Sequence, residues 1–286
     1  GAANGTISLT VNGNSPPYTF AWSNGAATQG IVGITNGLYS VMVTDYNGCT
    51  ELLSNINITE PSPLLASGFI SSNYNGQDVT CFGINDGVIT ANISGGTFPY
   101  TYSIDGITFS NNNIFGSLYA NSYDLTYQDY NGCTITENIT LSQPPALQSL
   151  VTSTSNISCW GYGDGFIDIT ISGGTPSLNP PFYNVSWSST NGYTSTSTNL
   201  SNISQAGTYT TTIIDMNGCQ APIISQYISE PSALHATTVA QPASCYGYSD
   251  GSIDLIITGG VGINTVNWIG PNAFSSTLED LQLLAS

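Results

Sequence analysis

The chain contains no lysine, no arginine and a single histidine, against 17 aspartates and glutamates in 286 residues. Charged residues make up only 6% of it, about a quarter of the usual share. Without cations it cannot neutralise phosphates, which excludes nucleic acid as a partner. Attachment to an anionic membrane through a basic patch is excluded for the same reason. Salt bridges to Lys or Arg and Lys-based isopeptide cross-links cannot form. Catalysis through Arg clamps, a P-loop Lys, a Schiff-base Lys or several His falls with them. No run approaches 18 apolar residues, so direct membrane insertion is not expected. No Cys-x-x-Cys occurs, which argues against zinc. The chain opens Gly1-Ala2-Ala3-Asn4, without Met or an apolar leader, and it is expected to be an internal piece of something longer.

Apolar residues are nonetheless 40% and aromatic residues 10%, enough for a packed core and unlike a disordered chain. The formal charge of −17 keeps the chain soluble and self-repelling. The absent Lys and Arg also remove every trypsin-type cleavage site, which suits an extracellular setting.

The sequence repeats itself. Asp-x-Asn-Gly-Cys occurs at Asp45–Cys49, Asp129–Cys133 and Asp215–Cys219, with 84 residues from Cys49 to Cys133 and 86 from Cys133 to Cys219. Cys-aromatic-Gly-x-x-Asp-Gly occurs at Cys81–Gly87, Cys159–Gly165 and Cys245–Gly251. Pro-rich punctuation follows each unit, at Glu60–Leu64, Gln143–Leu147 and Glu230–Leu234. These marks divide the chain into a partial repeat at 1–61, complete repeats at 62–144 and 145–231, and a partial repeat at 232–286. Asn4-Gly5-Thr6-Ile7 aligns with Asp86-Gly87-Val88-Ile89, so the first repeat lacks its leading Cys and the last stops before its Asp-x-Asn-Gly-Cys.

Each repeat reads as all-β. Val88–Ser94, Tyr100–Ile104, Tyr123–Gln128 and Thr134–Thr140 alternate apolar and polar residues and are bounded by turn residues. Asp-x-Asn-Gly is expected to supply the positive-φ residues of a hairpin. The spacing predicts tandem immunoglobulin-like sandwiches of roughly seven strands, stacked end to end as a rod. Tyr39, Tyr123 and Tyr209, each six residues before an Asp-x-Asn-Gly Asp, read as tyrosine corners. Trp22 and Trp187 follow Tyr18 and Tyr183 by four residues, and Trp268 holds that place in the last repeat. They read as buried third-strand residues rather than sugar-stacking platforms, since Ile104 stands there after Tyr100.

Taken together, Cys-x-Gly-x-x-Asp-Gly, Gly-Gly-Thr-x-Pro-Tyr, apolar-x-x-Gly-x-Tyr, Thr-Asp-x-Asn-Gly-Cys and Glu-Pro resemble the SprB-type repeats of very large Bacteroidetes surface adhesins, including a gliding-motility adhesin. The likeness runs through essentially the whole chain. Asn121 stands where Gly is usual, and Ser177-Leu178-Asn179-Pro180 is an insertion. The resemblance implies export by the type IX system and display at the cell surface.

No enzyme is expected. His235 stands alone beside the third Pro boundary, and catalytic Ser-His-Asp needs partners around it. The repeated acids, Asp45, Asp129 and Asp215 with Asp86, Asp164 and Asp250, read as turn residues whose carboxylates accept backbone N–H bonds. Calcium is the sharper alternative at Asp45, Asp129 and Asp215, although Asp-x-Asn-Gly is a fragment of any calcium loop. No other cofactor is expected.

The cysteines, two per complete repeat, imply disulfides in an extracellular protein. Two patterns are open. One lies within repeats, as Cys81–Cys133 and Cys159–Cys219. In the predicted topology, however, those cysteines sit at opposite ends of a sandwich, about 30 Å apart, and a disulfide needs Cα atoms within about 7 Å. Head-to-tail stacking instead brings Cys81 to Cys219 across a junction. Cys49, Cys133, Cys159 and Cys245 would then pair with cysteines outside this stretch. The resulting expectation is the structural stalk of an exported surface adhesin, with neighbouring repeats as its partners. Surface polysaccharide or other filament chains are the further partners a stalk would meet. The alternative is an array of polysaccharide-binding modules.

Overall fold

A computed structural model describes residues 2–285. Among them the only helix is one 3₁₀ turn, Pro271–Ala273, and the rest is strand and turn. The contacts divide the chain into two compact units. One holds residues up to Phe69 with Thr90–Ile114 and Tyr123–Ile139; the other holds Ile70–Ile89, Phe115–Ser122 and everything from Thr140 onward.

Repeat three lies wholly in the second unit and shows the architecture most fully. Seven strands form two antiparallel sheets. In the first, Gly165–Ser172 runs between Gln148–Ser155 and Leu200–Ile203. The second is ordered Thr194–Ser195, Asn184–Ser189, Gly207–Ile214, Ile224–Ile228. Alternation along each strand turns one face inward. Gly207–Ile214 buries Gly207, Tyr209, Thr211 and Ile213, while the alternate residues are only half buried. One core closes between the sheets, built from Ile167, Ile169, Val185, Trp187, Leu200 and Ile213 among others.

The aromatic landmarks occupy this core. Trp187, on the third strand, is 1% exposed, and its indole N–H donates to the Ser197 carbonyl at 3.0 Å. Tyr209, on the penultimate strand, is equally buried, and its hydroxyl donates to the Gln205 carbonyl four residues upstream at 2.9 Å. That is the tyrosine corner. In repeat one, Trp22 is buried in its own core and donates to the Thr28 carbonyl at 2.8 Å. Tyr39 likewise donates to the Thr35 carbonyl at 2.9 Å. Trp268 is half buried and donates to the Leu278 carbonyl. Tyr123 lies half buried on the strand Ser122–Gln128, and Ile104 falls just past the end of Thr101–Ser103.

Two sequence expectations need correction. Val88–Ser94 is not one strand. It splits into Gly87–Thr90 and Ile93–Ser94, which join different sheets. Between them Ala91 donates its N–H to the Asn113 carbonyl at 2.8 Å. The Asn113 side chain in turn donates to the Ala91 carbonyl at 3.0 Å, so both ladder groups of Ala91 are taken. Nor does Asp-x-Asn-Gly place more than one residue at positive φ. Only Gly48, Gly132 and Gly218 do so, at +79°, +80° and +86°, and each donates its N–H to the carbonyl of the leading Asp. The Asn residues keep ordinary backbone conformations, and their side chains take on other work.

Candidate functional site

The site with the most chemistry built into it is the joint between repeats two and three, which lies within the second compact unit. Its frame is the linker. Gly173 and Gly174 both adopt positive φ, +77° and +62°, and the Gly174 N–H donates to the Pro145 carbonyl at 2.8 Å. Repeat two does the same to its own leading linker, where the Gly96 N–H meets the Ser62 carbonyl at 2.7 Å. In repeat four the Gly260 N–H meets the Ser232 carbonyl at 3.0 Å. The other side of the second and third linkers is held by the repeat that precedes each. The Gly83 N–H, in the Cys-aromatic-Gly loop, donates to Gln143 Oε1 at 2.8 Å. The Gly161 N–H donates to Glu230 Oε1 at 2.7 Å. Gln143–Leu147 and Glu230–Leu234 are therefore clamped from both sides, and a clamped linker transmits orientation where a free one would not.

The hairpin Asp215–Cys219 forms one wall of the joint. Asp215 is buried. Its Oδ1 accepts the N–H groups of Asn217 at 3.0 Å and Cys219 at 2.9 Å, and its Oδ2 accepts that of Thr175 at 2.7 Å. Asp45 uses Oδ1 for Asn47 and Cys49. Asp129 accepts from Cys133 and Thr97. Burial works to raise the Asp129 pKa, but the N–H groups of Cys133, Thr97 and Asn131 outweigh it and hold the carboxyl below the ordinary range. Asp164 and Asp250 are also held low, by the hydroxyls and N–H groups of Ser158 and Ser244 respectively. Among the described residues no three His, Cys, Asp or Glu side chains converge to hold a metal. We expect Asp215→Ala to destabilise this repeat by about 2–3 kcal/mol, because buried N–H donors lose their acceptor. Urea titration followed through Trp fluorescence measures it.

The covalent element is the disulfide Cys81–Cys219, with Cα atoms 5.7 Å apart and a sequence separation of 138 residues. The within-repeat pairs Cys81–Cys133 and Cys159–Cys219 are not formed, and Cys49, Cys133, Cys159 and Cys245 are unbonded and exposed. Beside the bond, Phe82 and Ile84 of repeat two line a cleft with Ala221, Pro222 and Ile223 of repeat three. His235 is exposed at the start of the strand His235–Gln241.

Sequence reasoning missed the polar part of this joint. Tyr74-Asn75-Gly76-Gln77 is a two-residue hairpin closed by reciprocal N–H to carbonyl bonds between Tyr74 and Gln77, at 2.8 and 3.1 Å. Asn75 and Gly76 lie at φ +54° and +88°. Asn-Gly is the strongest short-range signal for such a turn and stood in the sequence. The two-sided clamping of the linker could have been suspected from the recurrence of Gly-Gly some thirty residues after each Pro boundary.

Two sheets around a Trp and a tyrosine corner, tied head to tail through clamped linkers, define a tandem array of immunoglobulin-like sandwiches. The SprB repeat matches four segments of the chain, residues 1–27, 73–109, 151–192 and 237–271, and the chain is a SprB-type repeat region. Among solved structures it is similar to the three N-terminal domains of the bacteriophage RB49 highly immunogenic outer capsid protein Hoc. That match has 15% identity and a TM-score of 0.39, and covers 77% of this chain and 80% of that one. It is also similar to fibronectin(III)-like modules of Clostridium thermocellum CbhA (13%, TM-score 0.27, covering 57% and 94%). The four N-terminal Ig domains of Dscam1 isoform 9.44 match at 13% identity and a TM-score of 0.28, covering 74% of this chain and 64% of that one. No curated protein matches the sequence.

Proposed function

We propose that this chain is a section of the stalk of an exported cell-surface adhesin, serving surface attachment or gliding, and that its work is mechanical. The observation that carries this reading is the disulfide between repeats, Cys81–Cys219. A bond within one sandwich stabilises that sandwich, whereas a bond across a joint resists bending and separation of neighbours. The clamped linkers act in the same direction. Calcium is not needed, because the carboxylates of Asp45, Asp129 and Asp215 already face N–H dipoles that repel a cation. Secretion by the type IX route and a cell-surface address follow from the family resemblance, and neighbouring repeats are the partners.

Small-angle scattering tests the reading. The oxidised chain should scatter as an extended, semi-rigid rod, with repeats about 35–45 Å long at about 3.3 Å per strand residue. Reduction should shorten its apparent persistence. A compact globule, or beads tumbling freely in the oxidised state, would contradict it.

One observation favours polysaccharide binding as a second reading. Trp160 and Tyr162 are 61% and 59% exposed on the Cys159 loop, and Tyr246 and Tyr248 occupy the matching places after Cys245. Saturable quenching of Trp fluorescence by a surface polysaccharide would support it, and a flat titration would leave the stalk alone.

A further inference from the structure

Asp-x-Asn-Gly-Cys occurs three times, and in each the Asn side chain is held by a hydroxyl of its own repeat. Asn47 Nδ2 donates to Ser15 Oγ at 3.1 Å, Asn131 Nδ2 to Thr97 Oγ1 at 2.9 Å, and Asn217 Nδ2 to Thr175 Oγ1 at 3.2 Å. Asn47 and Asn131 are exposed, as are Cys49 and Cys133 beside them. Asn217 and Cys219 are not: the first is half buried and the second is 9% exposed. The difference is what covers them. The two hydrogens of Asn217 Nδ2 are shared between the Thr175 hydroxyl and two backbone carbonyls of repeat two, Tyr74 at 3.1 Å and Thr80 at 3.2 Å. Its Oδ1 accepts from Asn75 Nδ2 at 2.6 Å. Donor and acceptor of one amide are both used on the same partner loop, within two residues of the disulfide.

Resting on the stalk reading, we propose that Asn217 is a docking residue. It recognises the Tyr74–Gln77 finger and the Thr80 carbonyl of repeat two and so selects Cys81 as the partner of Cys219. The partner it fits is a loop of defined chemistry: two backbone carbonyls, an amide donor and a cysteine. Two features give this specificity. The Asp215 turn and Thr175 fix the amide before the loop arrives, so little side-chain freedom is lost on docking. The Asn75-Gly76 finger has no counterpart in repeats three and four, where Ser155-Asn156-Ile157-Ser158-Cys159 and Gln241-Pro242-Ala243-Ser244-Cys245 lead straight to the cysteine. The finger therefore marks this joint among otherwise similar ones. Wrong pairs such as Cys159–Cys219 would lack the Tyr74 carbonyl and the Asn75 amide against Asn217. Asn217 thus acts as a positioning residue; the bond forms by thiol–disulfide exchange, in which an external disulfide such as oxidised glutathione forms a mixed disulfide with one cysteine, the other displaces it, and two external thiols are released.

The test is the effective concentration of the Cys81–Cys219 pair in the full chain. It is measured by equilibrating the chain in glutathione buffers of known ratio, trapping thiols and mapping the oxidised fraction. Asn217→Ala should lower it tenfold or more and raise the share of mispaired species on refolding from the reduced state. Asn75→Asp keeps a residue suited to the turn but replaces the donor with an oxygen facing Asn217 Oδ1. It lies on an exposed finger where it cannot unfold a sandwich, and it should lower the effective concentration at least threefold. Asn131→Ala should leave the value unchanged. If Asn217→Ala and Asn75→Asp both stay within twofold of the wild type while Cys81–Cys219 remains the bond formed, tethering alone selects the pair and the proposal is wrong. If the wild type instead forms Cys81–Cys133, the stalk reading fails first.

Discussion

Replacing Cys81 and Cys219 together by serine should cost the chain about 5 kcal/mol, the loop-closure entropy of a cross-link spanning about 140 residues. The effect should appear as a fall of roughly 10–20 °C in the transition of repeats two and three, at about 2–4 °C per kcal/mol for a segment of this size. Dithiothreitol should reproduce it on the wild type. The term grows only with the logarithm of the loop, so a staple within one repeat, closing a loop about two-fifths as long, would still contribute about 4 kcal/mol. The loss should also change the form of unfolding. With the bond, repeats two and three are covalently coupled through the joint; without it, scanning calorimetry should resolve separate transitions.

Gly173→Ala should be among the most damaging single substitutions outside the sandwich cores. At Gly173 a Cβ would lie 2.1 Å from the Ala146 carbonyl oxygen, and φ is +77°. The neighbour is linker backbone and cannot swing away as a side chain would. Positive φ adds a penalty that only glycine escapes, so the sum should reach about 4 kcal/mol, at the upper end for single substitutions. Gly95 and Gly259 meet the Pro63 and Ala233 carbonyl oxygens at 1.9 and 2.0 Å and should behave alike. Gly192→Ala is the control: its φ is +86° but nothing lies near its Cβ, so it should cost only about 1 kcal/mol, the penalty of the left-handed backbone. Chemical denaturation of the three variants against this control separates the clash from the backbone term.

Much of the fold was legible because its signals are local. Alternation gave the strands Ser122–Gln128 and Thr134–Thr140 almost to the residue, and the six-residue step from Tyr209 to Asp215 placed the corner beside the hairpin. The expectation failed where a side chain competes with the ladder. Nothing in Val88–Ser94 announces that Asn113, some twenty residues on, will claim both backbone groups of Ala91. The joint was half legible. The positions of Cys81 and Cys219 in the strand order argued for proximity. The amide of Asn217 serves a partner over 130 residues away, and a turn motif with an evident local role gave no reason to look for a distant one. The linker's prolines stand out in the sequence, whereas the bonds that hold it come from Gly83, Gln143 and Gly174.

Non-reducing peptide mapping tests the central claim most directly. A protease cutting at acidic or aromatic residues is needed, since the chain has no Lys or Arg. Cross-joint stapling predicts one linked peptide pair containing Cys81 and Cys219, with Cys49, Cys133, Cys159 and Cys245 of the isolated chain open to alkylation. A linked pair containing Cys81 and Cys133, or Cys159 and Cys219, would contradict it.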